Sequence, residues 1–354
     1  MAPVPWPMEG GNAGRTRTTT ESIQPPLTAQ ERFEVGGDTR FVSPIALAAE
    51  LLVADGDRRL HAFDLTNSQE IWRVVLPGSY LSPTIAGDSV YIRVESGEEG
   101  FLIALDRSTG EERWNYRFPA VGSAFGDIGG HVTAPSVVGE QLFVGAAQTL
   151  NAFDIHTGTI LWQFSTDEPL AASVAVANNI VYLADFTHLY AVDQRSGVEL
   201  WRFEHDTMTL FFAPVVTEQA VIVADQATIY ALTQSDGHPL WQRRFDQEII
   251  PAAASSDHVY VKTVNHLWAL DPTNGDIVWD YQAQNFVSLP AVTAEQLYII
   301  TRSDGGSQLR ALRRTDGMEI WQTDNQSFGN SAPVATHGTV YVRTVNGSIV
   351  GYRP

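Results

Sequence analysis

Short apolar runs rich in β-branched and aromatic residues recur along the whole chain, as in Val90-Tyr91-Ile92, Leu142-Phe143-Val144, Val181-Tyr182-Leu183, Val259-Tyr260-Val261 and Val340-Tyr341-Val342. Each reads as a strand. Ahead of most of them stands a small residue followed by proline, as in Ser82-Pro83, Ala134-Pro135 and Ala213-Pro214. Behind each comes one phrase, seen as Leu60-His61-Ala62-Phe63-Asp64, Leu102-Ile103-Ala104-Leu105-Asp106, Leu150-Asn151-Ala152-Phe153-Asp154 and Leu189-Tyr190-Ala191-Val192-Asp193. A turn such as His156-Thr157-Gly158 or Arg195-Ser196-Gly197 then leads into a segment that holds a tryptophan. The pattern predicts four short strands per unit.

Tryptophan gives the period. Seven of the nine tryptophans, Trp72, Trp114, Trp162, Trp201, Trp241, Trp279 and Trp321, are spaced by 38 to 48 residues. Four strands in about 40 residues, repeated, is the pattern of a β-propeller blade. The third-strand phrase occurs eight times, the last as Ile349-Val350-Gly351-Tyr352-Arg353, and the sequence stops at Pro354 before a fourth strand. Glu31-Arg32-Phe33-Glu34 copies Trp201-Arg202-Phe203-Glu204 with glutamate in place of tryptophan. Residues near 30 to 36 are therefore expected to supply the missing outer strand and to leave no long open edge. The expected fold is all-β: an eight-bladed β-propeller of four-stranded antiparallel blades, a ring closed by an N-terminal strand joined to the C-terminal blade. Residues 1–29 read as an N-terminal arm and 30–354 as a single propeller domain.

This repeat resembles the PQQ-like, or quinoprotein-type, propeller family, and Trp6-Pro7-Met8 with Gly10-Gly11-Asn12 and Arg15-Thr16 resembles the leader phrase of bacterial members. The resemblance implies that the tryptophan of each blade docks on its neighbour, where the turn glycine lets the indole approach. Gly110, Gly158, Gly197, Gly237, Gly275 and Gly317 would be those glycines. Trp268, outside this register, is read as extra packing. Two branches of the family matter. In quinoprotein dehydrogenases, pyrroloquinoline quinone lies beside a calcium or lanthanide ion, often against a disulfide of adjacent cysteines. Compact BamB-like members are envelope scaffolds in outer-membrane protein assembly.

Composition narrows the choice. The 354 residues carry 22 basic and 41 acidic side chains, a net charge of −19, and Lys262 is the single lysine. Duplex nucleic acid and an anionic membrane surface are not expected partners. With no cysteine in the chain, the disulfide wall, thiolate nucleophiles, cysteine-ligated zinc and a thioether lipid anchor are all excluded. No run of about 18 apolar residues occurs. The start, Met1-Ala2-Pro3-Val4-Pro5, lacks the form of an export signal. A mature chain whose leader has been removed would start in the same way, so a periplasmic or extracellular location in the bacterial envelope is inferred from the resemblance.

Candidate sites follow from propeller topology. Turns joining first to second and third to fourth strands share one face and are short. Connections from second to third strand and from blade to blade share the other face and vary in length, so function is expected there. The expected partner-binding residues are Tyr80, Phe125, Asp127, His205, Phe211, Phe212, Phe286 and Phe328, with the aromatics as exposed anchors. The Gly-rich stretch 119–131 is read as a mobile loop or a contact. Glu95, Glu98 and Glu99 form a solvated turn or a hard-cation site. No His-Glu-x-x-His spacing and no Gly-x-Ser-x-Gly elbow occurs. No catalytic residue and no metal ligand is assigned.

The expectation is a monomeric, non-enzymatic scaffold that binds protein and needs no cofactor. Two other readings stay open. One is a reduced quinoprotein that oxidises an alcohol or sugar with pyrroloquinoline quinone and calcium, using Asp127, Asp206 or Glu248 as ligand or base. The other is a propeller that binds a small ligand or glycan.

Overall fold

The structure, a computed structural model, describes residues 7–36, 45–56, 59–80, 82–96, 99–118, 133–170, 172–204 and 212–354. All regular elements among the described residues are strands. The fourth blade illustrates the rule: Ala175–Ala177, Ile180–Ala184, His188–Asp193 and Glu199–Glu204 pair antiparallel in chain order. The second strand is buried from Val181 to Ala184, which is why it reads as an unbroken apolar run. The outer strand alternates, with Trp201 buried between exposed Leu200 and Arg202.

Four-stranded sheets of the same form span 46–75, 136–165, 175–204, 215–244, 250–282 and 291–322; the sheet over 79–118 carries a fifth, short strand, Ser79–Tyr80, and 334–353 supplies three strands of the eighth. The fold class is an eight-bladed β-propeller. By internal contacts the chain divides into two compact units, one comprising Met1–Asn12, Thr16–Val75 and Ala252–Pro354, the other Ala13–Arg15 and Leu76–Pro251.

The eighth blade is completed from the other end of the sequence. Strand Thr28–Phe33 pairs antiparallel with Ile349–Arg353, starting two residues before the expected 30–36 and ending three short of it. Glu31 stands opposite Gly351, just after a register shift, as Trp201 stands opposite Ala191 beside the shift in its own blade. Glu31 thus occupies the tryptophan position of the repeat.

The N-terminal arm is bound to the blades through backbone groups. In one unit, Ala254 N–H donates to Thr16 O (3.0 Å) and Val292 N–H to Arg17 O (2.9 Å), while Thr19 N–H donates to Val292 O (2.8 Å). In the other, Val176 and Val216 N–H donate to Ala13 O (2.7 Å) and Gly14 O (2.8 Å). Ala254, Val292, Val176 and Val216 each lie on, or at the end of, the first strand of their blade, an edge that would otherwise be unpaired. Arg17 is buried, with Nε donating to Pro290 O at 3.0 Å.

Candidate functional site

The tryptophans are part of the core. Trp114, Trp162, Trp201 and Trp279 each donate Nε1–H to a carbonyl one or two residues past the third strand of the next blade: Ile155, Gln194, Gln234 and Arg314, at 2.9–3.0 Å. A Cβ added at Gly158, Gly197, Gly237 or Gly317 would fall 2.5–2.6 Å from Cε3 of the same indole. These glycines also have φ of +68° to +73°, a region that suits glycine. Gly110 and Gly275 share it. Trp72 and Trp241 are buried, while Trp321 is partly buried and meets Tyr352 edge-on at 6.5 Å. Trp268 stacks on His266 at 4.9 Å. The aspartate closing the third strand accepts N–H groups of the turn, as Asp193 does from Arg195 and Ser196. The Ser196 hydroxyl and these amides hold its carboxyl below the usual range.

The connection face departs from expectation at two of its candidates. Phe286 and Phe328 are buried, at 3% and 1% exposure, and are not exposed anchors. Their backbone bonds turn the rings inward: Phe286 N–H donates to Val264 O (2.6 Å) and Phe328 N–H to Ser307 Oγ (2.7 Å). Phe286 packs on Tyr281 and Phe328 on Tyr352, with ring centroids 6.0 and 6.1 Å apart. Phe212 is half-buried, its N–H on Ala224 O. Tyr80 lies in a two-residue strand, Ser79–Tyr80, opposite Val94. Phe125, Asp127, His205, Asp206 and Phe211, with the stretch 119–131, lie outside the described residues. Of the three carboxylates proposed for a cation, Glu98 also lies outside. Glu95 pairs with Arg93 and Glu99 with Arg117.

A cleft of about 540 Å³ opens on this face, lined by Asn265, Gln282, Ala283, Gln284, Thr301, Arg302, Ser303 and Arg310. It adjoins the hairpin Gln296–Ser303 and Gly306–Arg313, whose eight-residue strands exceed those of most blades. Arg310 donates to Thr301 Oγ1 (2.7 Å) and Glu319 Oε2 (2.6 Å), and Arg302 to Asn330 Oδ1 (2.9 Å). Burial and the Glu319 carboxylate push the Tyr281 hydroxyl up to about 12, so it stays protonated and donates to Glu319. The arginines are thereby fixed in place, and the side-chain amides of Asn265, Gln282 and Gln284 are the groups suited to hydrogen-bond a ligand surface. Exposed Val264 and Val345 lie on connections of the same kind. No sequence pattern signals this cleft, because its residues come from separate connections with no shared spacing.

Quinone chemistry of the related dehydrogenases needs converging carboxylate and amide ligands for an ion. Among the described residues no three His, Asp or Glu side chains come together as an ion site. Glu248 is exposed, without a bonded partner among the described residues.

Four-stranded blades interlocked by tryptophan define a PQQ-like repeat propeller. The chain belongs to the family described as outer membrane protein assembly factor BamB, whose model matches residues 29–117, 56–185, 185–301 and 285–353. It is 26% identical over 299 residues to BamB of Yersinia pestis, covering 76% of this chain and 72% of that protein. A stretch of 160 residues is 27% identical to the serine/threonine-protein kinase AfsK of Streptomyces griseus, covering 43% of this chain and 20% of the kinase. With BamB of Bordetella pertussis the identity is 27% over 190 residues, covering 51% of this chain and 48% of that protein. The match thus spans a fifth of the kinase and about half of the Bordetella protein.

Solved structures share the fold. The quinohemoprotein alcohol dehydrogenase of Comamonas testosteroni superposes with a TM-score of 0.77 at 12% identity, covering 99% of this chain and 80% of the enzyme. BamB from Moraxella catarrhalis superposes with a TM-score of 0.67 at 16% identity, covering 93% and 98%.

Proposed function

We propose that the chain is a non-enzymatic protein-interaction scaffold of the bacterial cell envelope that serves outer-membrane protein assembly and works without a bound cofactor. The observation that carries this reading is the match of the BamB family along residues 29–353. The Yersinia relative, aligned over most of both chains, supports it. Protein partners dock on the connections around the amide-lined cleft beside Arg310 and Arg302, which offers hydrogen bonds, with Val264 as exposed apolar surface.

The test is a titration of the purified chain with pyrroloquinoline quinone, with and without calcium, followed by tryptophan emission and by dye-linked oxidation of alcohols and sugars. The expected result is neither saturation nor turnover. In parallel, Val264→Asp combined with Gln284→Glu should weaken binding to purified outer-membrane assembly components without lowering the unfolding midpoint. Micromolar quinone binding with turnover would replace the scaffold by an oxidoreductase.

A further inference from the structure

We propose that the cleft beside Arg302 receives a carboxylate, carried by an aspartate or glutamate side chain of the protein partner. The site stands on its own geometry, and only the source of the carboxylate rests on the scaffold reading above. The charge of the cleft is the reverse of the chain's. The described residues on its lining include two arginines, three side-chain amides and two hydroxyls but no carboxylate, in a chain of 41 acidic and 22 basic residues. All of them belong to one compact unit.

Arg302 differs from its neighbours. The last two blades, 291–354, hold six arginines, and five of them are paired: Arg310 with Glu319, Arg313 with Asp316, Arg314 with Asp257, Arg343 with Asp55 and Arg353 with Glu31. Arg302 instead donates from Nη2 to two neutral oxygens, Phe328 O (3.2 Å) and Asn330 Oδ1 (2.9 Å). These bonds fix the guanidinium and leave Nε and Nη1 without an acceptor among the described residues. The acids nearby are engaged elsewhere: Glu319 accepts from Arg310 and from the Tyr281 hydroxyl, and Asp280 meets His266 Nδ1 at 3.0 Å. Asp304, exposed on the hairpin turn, makes no ion pair with Arg302. Two residues along from Gln284, the Phe286 carbonyl accepts from Lys262 Nζ (3.2 Å), a second basic group with no carboxylate partner among the described residues.

A carboxylate supplies what this arrangement lacks. An ionised acceptor forms a shorter and stronger bond to a guanidinium than a neutral oxygen does, and its charge offsets that of Arg302. Its oxygens can also accept from the side-chain amide of Gln284, which is exposed and bonds to no described residue. The acidic excess elsewhere repels an acidic segment, so the cleft decides where such a segment settles. Val264, 65% exposed and next in sequence to Asn265 of the lining, offers apolar contact to a residue flanking the acid, which a polypeptide has and a free anion does not.

The probe is the peptide acetyl-Val-Glu-Ser-amide, compared with acetyl-Val-Gln-Ser-amide, titrated into the full chain at low ionic strength and followed by amide NMR shifts. The glutamate peptide is expected to bind at least tenfold more tightly, an advantage that salt diminishes. Arg302→Gln should bring the two peptides to equal affinity, while Arg302→Lys keeps part of the preference. Should Arg302→Gln fail to fold, Gln284→Glu, an exposed change that places a carboxylate on the lining, should weaken the glutamate peptide at least fivefold. Equal binding of the two peptides by the wild type, a preference untouched by whichever variant folds, or tighter binding of inorganic phosphate than of the glutamate peptide would overturn the proposal. Failure of the scaffold reading is told apart by purified outer-membrane assembly components. If they bind the wild type and Arg302→Gln equally well, the carboxylate site falls and the scaffold stands; peptide selectivity without capture of those components upholds the site and overturns the source named for its carboxylate.

Discussion

Two alanine substitutions separate the backbone cost of a turn from the cost of displacing an indole. Gly139 and Gly197 lie in the same compact unit, both in turns with positive φ, +59° and +73°. A Cβ at Gly139 would meet nothing within 4 Å, whereas at Gly197 it would fall 2.6 Å from Cε3 and 2.7 Å from Cδ2 of Trp162. A left-handed alanine costs about 1–2 kcal/mol at either site. The stiffer unfolded chain of the variant offsets part of this, equally for both. Trp162 is buried and held by its bond to Gln194 O at 3.0 Å, so at Gly197 it must be pushed off its seat. Overpacking of that kind adds about 1–3 kcal/mol.

Gly139→Ala should therefore lose about 1–2 kcal/mol and Gly197→Ala about 2–5 kcal/mol. Equilibrium urea unfolding followed by tryptophan emission measures both, read as midpoint shifts at common slope. A double-mutant cycle sharpens the test: on a Trp162→Ala background the ring is gone, and Gly197→Ala should cost no more than Gly139→Ala. If the two glycine variants unfold within about 0.5 kcal/mol of one another, the indole is not rigidly seated and the reasoning fails.

Truncating the ring itself is the complementary perturbation: Trp201→Ala, which empties a buried site and leaves Gln234 O without its indole donor, should cost about 3–5 kcal/mol, and a loss below about 1 kcal/mol in the same unfolding assay would remove Trp201 from the core. Arg343 is 1% exposed and donates to both Asp55 Oδ1 and Asp55 O at 2.7 Å, so Asp55→Ala should destabilise by about 3–5 kcal/mol. Adding Arg343→Met to Asp55→Ala should recover part of that loss in thermal unfolding, because no uncompensated charge then stays buried. For Asp193 the folded carboxyl lies below its ordinary 3.8, so its contribution is complete above that value and is lost as pH falls through the lower, folded value. Unfolding midpoints of the wild type and Asp193→Asn should accordingly differ at pH 6 and draw together as the pH is lowered below 3.8, and a gap that stays constant throughout would assign the turn's stability to something other than ionisation.

The blades were legible because each carries several signals that agree: an apolar second strand, the alanine-centred third strand, a turn glycine and a tryptophan at fixed distance. Even the completing strand could be read, since Arg32-Phe33-Glu34 keeps the outer-strand pattern after the tryptophan is lost. Side-chain direction in the connections could not. Phe286 follows Gln284-Asn285 and Phe328 follows Gln326-Ser327, and what turns them inward is a backbone bond to Val264 O and to Ser307 Oγ, on segments more than twenty residues away. The arm was illegible for a related reason. Residues 10–14, Gly-Gly-Asn-Ala-Gly, show neither helical nor strand period, yet Ala13 and Gly14 provide carbonyls for the first-strand amides of Val176 and Val216. Small residues suit such close backbone approach, but the need for it resides in the blade edges.

The eighth blade shows what the repeat gives up where the two ends of the sequence meet. Elsewhere a seated indole joins neighbours through a large apolar area and one hydrogen bond. Here the polar pairs within the blade are Glu31 with Arg353 and Ser348 with Arg32 (2.9 Å) and Glu34 (2.6 Å), while the link to the first blade is made by Arg343 with Asp55 and by the rings of Phe33 and Phe63, 5.3 Å apart. Pairs as exposed as Arg32 and Glu34 contribute roughly 0–1 kcal/mol each, far less than a buried tryptophan. Of these only the Arg343 pair is deeply buried, and it lies at the far end of the second strand from the turn that holds Leu65 and Ser68. The turn end of this blade is thus joined to its neighbour by the edge-on contact of buried Phe33 with Phe63, beside the turn, in place of a seated indole.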